Sequence, residues 1–286
     1  MGYPQGENMK YSVFTVSLPT LKPERIVQEF KKMGLDGVEW RVHEAFHFKP
    51  EELEKNAAYI KKLTADAGLG ISNVATYTKI TELDLSKSLI AATAAMGAPS
   101  LRLGMLWYEK SNTAYNKLYK EAKDTIEKLV PVLKQHKVKL VFELHHESIT
   151  PSASALYSLI KDYPPEVVGA LYDPANMIVE GYEAFAFDLL GPYVAHVHAK
   201  DVMFVKDDKG KWGRKWMVLG DGMANWTNIF TALDKINYKG YISSENITIG
   251  GLKETMKEEE HQKFCLETIT KEISFLKKAE KETLGK

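Results

Sequence analysis

The chain has 286 residues, 44% of them hydrophobic and 27% charged, which fits one large α/β domain better than two small ones. Its 38 Lys and Arg balance 38 Asp and Glu, so the charge gives no case for a nucleic-acid partner. No window holds the ~18 apolar residues needed to span a bilayer, and the single Cys265 excludes an internal disulfide.

These properties predict a cytoplasmic protein, with Cys265 buried on the helical face written "HQKFCLETI". The opening "MGYPQGEN" lacks the basic-then-apolar order of a signal peptide, and Gly6 stands where a myristoylation motif needs Ser or Thr. Met9 fits as a native start, which makes 1–8 an extension and 9–286 a single domain.

Along the chain, short β-rich runs are expected near 11–17, 37–41, 71–76, 100–104, 139–145, 168–173, 194–199 and 241–245. Amphipathic helices are expected near 23–33, 50–67, 86–96, 113–136, 153–161, 181–190, 226–236 and 261–279. Pro23 and Pro50 suit helix starts, and Gly34, Gly68 and Gly97 suit helix ends. Eight βα units in unbroken alternation predict a single (β/α)8 barrel. An open doubly wound sheet is the alternative, but no Gly-rich nucleotide loop follows the first strand.

A barrel of this kind collects its chemistry at the C-terminal ends of the strands. Alternation in "KLVFELHH" turns Val141, Glu143 and His145 inward if Leu140, Phe142 and Leu144 face the helices. Asp173 closes "GALYD"; His196, His198 and Lys200 share one face of "VAHVHAK"; Glu245 ends "YISSE". The last four strands thus bring Glu143, Asp173, His198 and Glu245 to one rim. Three converging carboxylates repel unless a cation joins them. Oxygen donors with one imidazole suit a single divalent ion, Mn²⁺ first, with Mg²⁺ or Co²⁺ as alternatives. His196, about 6–7 Å back along the strand, reads as a buried supporting histidine.

The motifs "VFELHH", "LYDPANM", "HVHAKD", "LGDGMANW" and "ISSE", in that order, resemble the xylose isomerase-like TIM barrels. That sugar isomerase/epimerase group includes ketose 3-epimerases, hydroxypyruvate isomerase, inosose dehydratase and endonuclease IV. The resemblance runs from "GLDGVEWR" at 34–41 to "GYISSEN" at 240–246. It implies Glu143, Asp173, His198 and Glu245 as metal ligands, with Glu143 and Glu245 also moving a proton. A metal polarises a substrate carbonyl, and a base over one face of the neighbouring carbon removes its proton. Asn176 departs from the pattern, standing where ketose epimerases and the DNA-repair branch carry His.

Among further candidates, His145 is a second acid or base, while His146 belongs to the loop or the helix side. Lys200 either meets substrate or pairs with Asp201 or Glu245. Glu39, Arg41 and Arg102 either face the same cavity or form barrel ion pairs, and Asn176 and Trp107 complete the expected substrate contacts. Trp107, Tyr108, Trp212, Trp216 and Trp226 gather in loops after strands, Trp226 for packing.

The expected function is a metal-dependent isomerase or epimerase acting on a sugar, keto-sugar or polyol-derived ketone. A lyase or dehydratase using the same proton removal is the alternative, including the barrel subunit of a C-glycoside deglycosidase. A non-catalytic sugar-binding protein is the third. The partner is a small sugar molecule, not nucleic acid or membrane. A homo-oligomer is compatible, and the deglycosidase reading requires a hetero-oligomer.

Overall fold

A computed structural model describes residues 9–104, 106–179, 182–247 and 256–285. The 1–8 extension lies outside the described residues. Eight parallel strands close a barrel in the order β1-β10-β7-β6-β5-β4-β3-β2. They are β1 (Lys10–Phe14), β2 (Gly37–Val42), β3 (Gly70–Lys79), β4 (Ser100–Gly104), β5 (Lys139–Glu143), β6 (Val168–Tyr172), β7 (Val194–Ala199) and β10 (Tyr241–Ser244). β8 (Asp201–Lys206) and β9 (Trp212–Met217) form a separate antiparallel arm. This is the (β/α)8 barrel expected from the alternation.

The helices pack outside as their periodicity dictates. α1 (Pro23–Lys32) starts on Pro23, where a missing N–H costs nothing, and buries Ile26, Val27 and Phe30. α2 (Leu53–Asp66), α3 (Leu83–Met96), α4 (Tyr115–His136) and α5 (Ala153–Ile160) follow. After β6 come the short α6 (Pro174–Met177) and α7 (Glu183–Leu190), then α8 (Trp226–Lys235) and the long α9 (Glu258–Leu284). Gly34, Gly68 and Gly97 take φ of +64°, +76° and +78° just past α1, α2 and α3, which only glycine does cheaply. Cys265 is buried on α9. Among the described residues no helix is long and apolar enough to cross a membrane.

Three expectations need correction. The first strand stops at Phe14, because Thr15–Ser17 turn into a 3-10 helix. The Thr15 hydroxyl accepts from the Arg41 amide, and Ser17 accepts from the Asn246 amide. Residues 50–52, read as the start of an α-helix, form a separate 3-10 turn before α2. The fifth strand ends at Glu143, because the Thr150 hydroxyl donates to the Glu143 carbonyl at 2.8 Å and folds the chain back. His145 therefore sits in a turn, where its carbonyl accepts from the Ser148 amide at 3.1 Å.

Candidate metal centre at the barrel rim

Glu143 ends β5, Asp173 caps α6 one residue past β6, His198 lies on β7, and Glu245 follows β10. Their side chains, all buried, each bring a ligand atom to within 4.8 Å of one another. Asp173 is shaped by its neighbours, its Oδ1 accepting from the amides of Ala175 and Asn176.

Below this rim lies a second layer. Glu39 on β2 is fully buried and accepts from His196 Nε2 at 2.9 Å and Asn73 Nδ2 at 2.9 Å. His198 Nε2 stands 3.1 Å from both Glu39 oxygens. Burial opposes ionisation of Glu39, but the two imidazoles override it and hold the carboxyl well below its ordinary range. An acceptor-only carboxylate at Nε2 fixes the imidazole hydrogen there. Nδ1 is thereby aimed at the rim, 3.0 Å from Glu245 Oε2 and 4.0 Å from Glu143 Oε1, without a hydrogen-bond partner. Two permanent cations also enter the cluster. Lys200 Nζ lies 2.6 Å from Asp173 Oδ2 and 2.9 Å from Glu245 Oε2, and Arg102 donates to Glu143 Oε2.

The donor set fits a divalent ion. Four carboxylates (Glu39, Glu143, Asp173 and Glu245) face two permanent cations, which leaves two negative charges when the histidines are neutral. Buried charge in that excess is costly unless protons or a cation balance it. The groups themselves register the strain. Burial pushes Asp173 up to about 6 despite Lys200. Burial would lower His198, yet Glu39 and Glu245 raise it well above the ordinary imidazole range. Glu143 and Glu245 lie lower than usual because Arg102, and Lys200 with His198, outweigh their burial. A divalent ion on the four rim ligands balances the excess with the histidines neutral.

The profile of the xylose isomerase-like TIM barrel family matches residues 27–275. The chain belongs to that family. It is 29% identical over 140 residues to inosose dehydratase of Clostridium perfringens, a match covering 44% of this chain and 46% of the relative. The chain thus spans about half the length of the curated relatives it matches. Among solved structures, an L-ribulose 3-epimerase is 16% identical with a TM-score of 0.73, over 96% of this chain and 95% of that one. A D-psicose 3-epimerase crystallised with D-fructose is 16% identical with a TM-score of 0.71, over 94% and 99%. The E. coli 3-keto-D-glucoside 4-epimerase is 16% identical with a TM-score of 0.70, over 93% and 100%. At these identities the likeness shows the fold.

Within this family barrel, several residues expected as substrate contacts are engaged with the rim carboxylates or lie beneath them. Glu39 is a barrel ion pair beneath His198, not a cavity group. Asn176, only 2% exposed, donates to Glu143 Oε1 at 3.2 Å and Asp173 Oδ2 at 2.6 Å, so it braces two carboxylates. Arg102 donates to Glu143 through Nη1, and Lys200 pairs with Glu245 and Asp173 rather than Asp201. Asp201 instead gathers the amides of Val202, Gly220, Gly222 and Ala224. Arg41 keeps partial exposure, its guanidinium 3.7 Å from the Phe46 ring centroid and 4.7 Å from that of Tyr77. Trp107 meets the edge of His145 at 4.8 Å. Burial pushes His145 down to about 4, so it is neutral at pH 7 and holds an added proton only weakly.

His146, assigned by sequence to the loop or the helix side, stacks on His145 at 4.4 Å and meets Asn176 Oδ1 at 2.9 Å, so it backs the site. Trp226 packs in the core against Phe230 and Phe275 as expected, but Trp212 and Trp216 lie on β9 of the arm, not in strand-end loops. The arm was legible in one respect: "DDKG", with Gly210 at φ +75°, separates two β-rich runs.

Proposed function

We propose that the chain is a divalent-metal-dependent enzyme that removes a proton next to the carbonyl of a sugar, keto-sugar or polyol-derived ketone, in isomerisation or epimerisation, with Mn²⁺ as its ion. The observation that carries this reading is the buried set Glu143, Asp173, His198 and Glu245, with an unpartnered His198 Nδ1 directed into it. Bound there, the ion supplies Lewis-acid polarisation of a substrate carbonyl.

The chain's own residues supply the proton chemistry. Glu143 is gripped through both oxygens, Oε1 by Asn176 and Oε2 by Arg102. Glu245 is held through Oε2 by Lys200 and faces His198 Nδ1. That makes Glu245 the less restrained carboxylate and our choice of base, with Glu143 as its counterpart. Lys200, kept cationic because Asp173 and Glu245 outweigh its burial, stands ready to neutralise negative charge developing on substrate oxygen.

A dehydratase or lyase is the second reading, favoured by the similarity to inosose dehydratase. The same proton removal is then followed by loss of a β-substituent, with His145 or Lys200 beside the leaving group. One experiment separates the two. The Mn²⁺-loaded protein is incubated in D₂O with ketoses, 3-keto-glycosides and inososes and followed by NMR. Deuterium gain with the carbon skeleton and substituents intact supports epimerisation, and an eliminated fragment supports the lyase. No exchange or turnover across the panel refutes both.

A further inference from the structure

The antiparallel arm β8–β9 belongs neither to the barrel wall nor to the carboxylate cluster, yet it stands beside the cluster. Its register pairs Val202 with Trp216, Phe204 with Arg214, and Lys206 with Trp212. Directly opposed residues share a face, so Trp216, Arg214 and Trp212 line one side of the arm. Asp201, of opposite parity, gathers the amides of Gly220, Gly222 and Ala224, which brings the 219–224 loop to the other side.

The Trp-bearing side continues the candidate site. The Trp216 ring centroid lies 5.3 Å from Lys200 Nζ, the ammonium that pairs with Asp173 and Glu245. Arg214 comes next, 5.6 Å from the Phe204 ring, with its Nε buried and without a partner. Arg214 also lies within electrostatic range of His146, Glu147 and Glu109. Trp212 is outermost, 61% exposed, with Lys206 Nζ 5.5 Å from its ring. From Trp216 to Trp212 the strand advances about 13 Å, more than one sugar ring covers.

We infer that this arm is a subsite for a second ring, and that the substrate of the rim site is a glycoside rather than a free monosaccharide. The inference rests on the sugar-directed reading above. The reacting ring sits at the carboxylate cluster, and the attached ring lies along Trp216, Arg214 and Trp212. Indole faces take the apolar face of a pyranose or an aryl ring. The partly exposed Arg214 guanidinium, set between the two indoles on this face, donates to an oxygen of the glycosidic link or of the attached ring. A monosaccharide at the cluster leaves both Arg214 and Trp212 unused.

The test titrates the Mn²⁺-loaded protein by calorimetry and tryptophan fluorescence with methyl glycosides, phenyl glycosides and disaccharides, built on glucose, galactose and their 3-keto forms. The expected result is that, on at least one sugar, the phenyl glycoside or the disaccharide binds about tenfold tighter than the methyl glycoside. Preference for phenyl assigns an aryl ring, and preference for the disaccharide assigns a sugar. Trp212→Ala and Arg214→Ala should each remove most of that advantage while leaving the affinities for the methyl glycoside and for Mn²⁺ unchanged. Equal affinity for one-ring and two-ring ligands, no binding by any of them, or an advantage that survives both substitutions overturns the inference. So does a Trp212→Ala variant that changes only the oligomeric state, which assigns the arm to self-association. Failure of the metal reading looks different: wild type then takes up no Mn²⁺, whatever its preference among glycosides.

Discussion

Replacing Glu39 by Gln tests the layer beneath the rim cluster. Glu39 is 0% exposed and receives His196 Nε2 and Asn73 Nδ2 at 2.9 Å each and His198 Nε2 at 3.1 Å. Gln preserves the volume but removes the charge and sets an NH₂ group against imidazole N–H donors. Breaking a buried ionic contact from one side costs about 3–5 kcal/mol. At about 2–4 °C per kcal/mol for a chain of this size, the metal-free protein should melt roughly 10 °C lower. The second consequence falls on the ligand itself. Without the carboxylate at Nε2, the His198 hydrogen is no longer held away from Nδ1, and removing such a supporting group typically weakens metal binding by about 10–100-fold. Scanning calorimetry of the metal-free protein and Mn²⁺ titration of both proteins give the two numbers. A melting point within about 2 °C of wild type, together with unchanged Mn²⁺ affinity, refutes the anchoring role of Glu39.

Three further outcomes follow from the same geometry. His198→Ala should abolish Mn²⁺ binding, whereas His196→Ala should lower the melting temperature and retain the ion; the reverse pattern in metal analysis refutes the assignment of Nδ1 of His198 as the ligand. Glu245→Gln should bind Mn²⁺ at raised concentration yet lose about 10²–10⁴-fold in exchange of the substrate proton with D₂O, with Glu143→Gln as the comparison, and exchange at the wild-type rate in both refutes the carboxylates as bases. Glu272 on α9 is pushed up to about 7, because burial outweighs its hydrogen bonds from Ser244 and Asn246. The folded state therefore holds that proton more tightly than the unfolded chain, so stability is greatest below pH ~4.5 and falls as pH rises through ~7, by about 3 kcal/mol. Urea unfolding of wild type and Glu272→Gln at several pH values between 5 and 8 isolates this contribution, and a difference that does not vary with pH refutes it.

The barrel was legible because its two periods are uninterrupted. Apolar helical faces such as Ile26, Val27 and Phe30 alternate with short β-rich runs, and glycines at positive φ punctuate them. The misreadings fall where a side chain competes with the backbone ladder. Thr15 and Ser17 have the composition of a strand, but their hydroxyls are engaged by the amides of Arg41 and Asn246, and the chain turns. Thr150 does the same at the end of β5 by donating to the Glu143 carbonyl. Neither partner is near in sequence to the turn that it enforces at β1, so no local pattern announces it. The β8–β9 arm was missed for another reason: it interrupts the βα alternation with a hairpin, and its second strand, WGRKWM, sets Gly213, Arg214 and Lys215 among its apolar residues.

At the site, parity along a strand fixed which residues share a face but not what each one meets there. The convergence of Glu143, Asp173, His198 and Glu245 was legible because each lies at a strand end, and a barrel brings strand ends together whatever the details of packing. The roles of Glu39, Asn176, Arg102 and Lys200 were not, since they depend on depth and on partners from other strands. Glu39 and Arg41 have the same parity on β2, two residues apart. One lies fully buried under two imidazoles, while the other remains partly exposed between Phe46 and Tyr77. Two residues are about 7 Å of strand, the distance between one layer of side chains and the next. That single step separates a group that engages His198 Nε2 from beneath from one that remains partly exposed. Charge also links the two layers. Three carboxylates meet at the rim, and Glu39, by taking up the Nε2 side of His198 from beneath, turns the other ring nitrogen toward them instead of leaving the imidazole free to reorient.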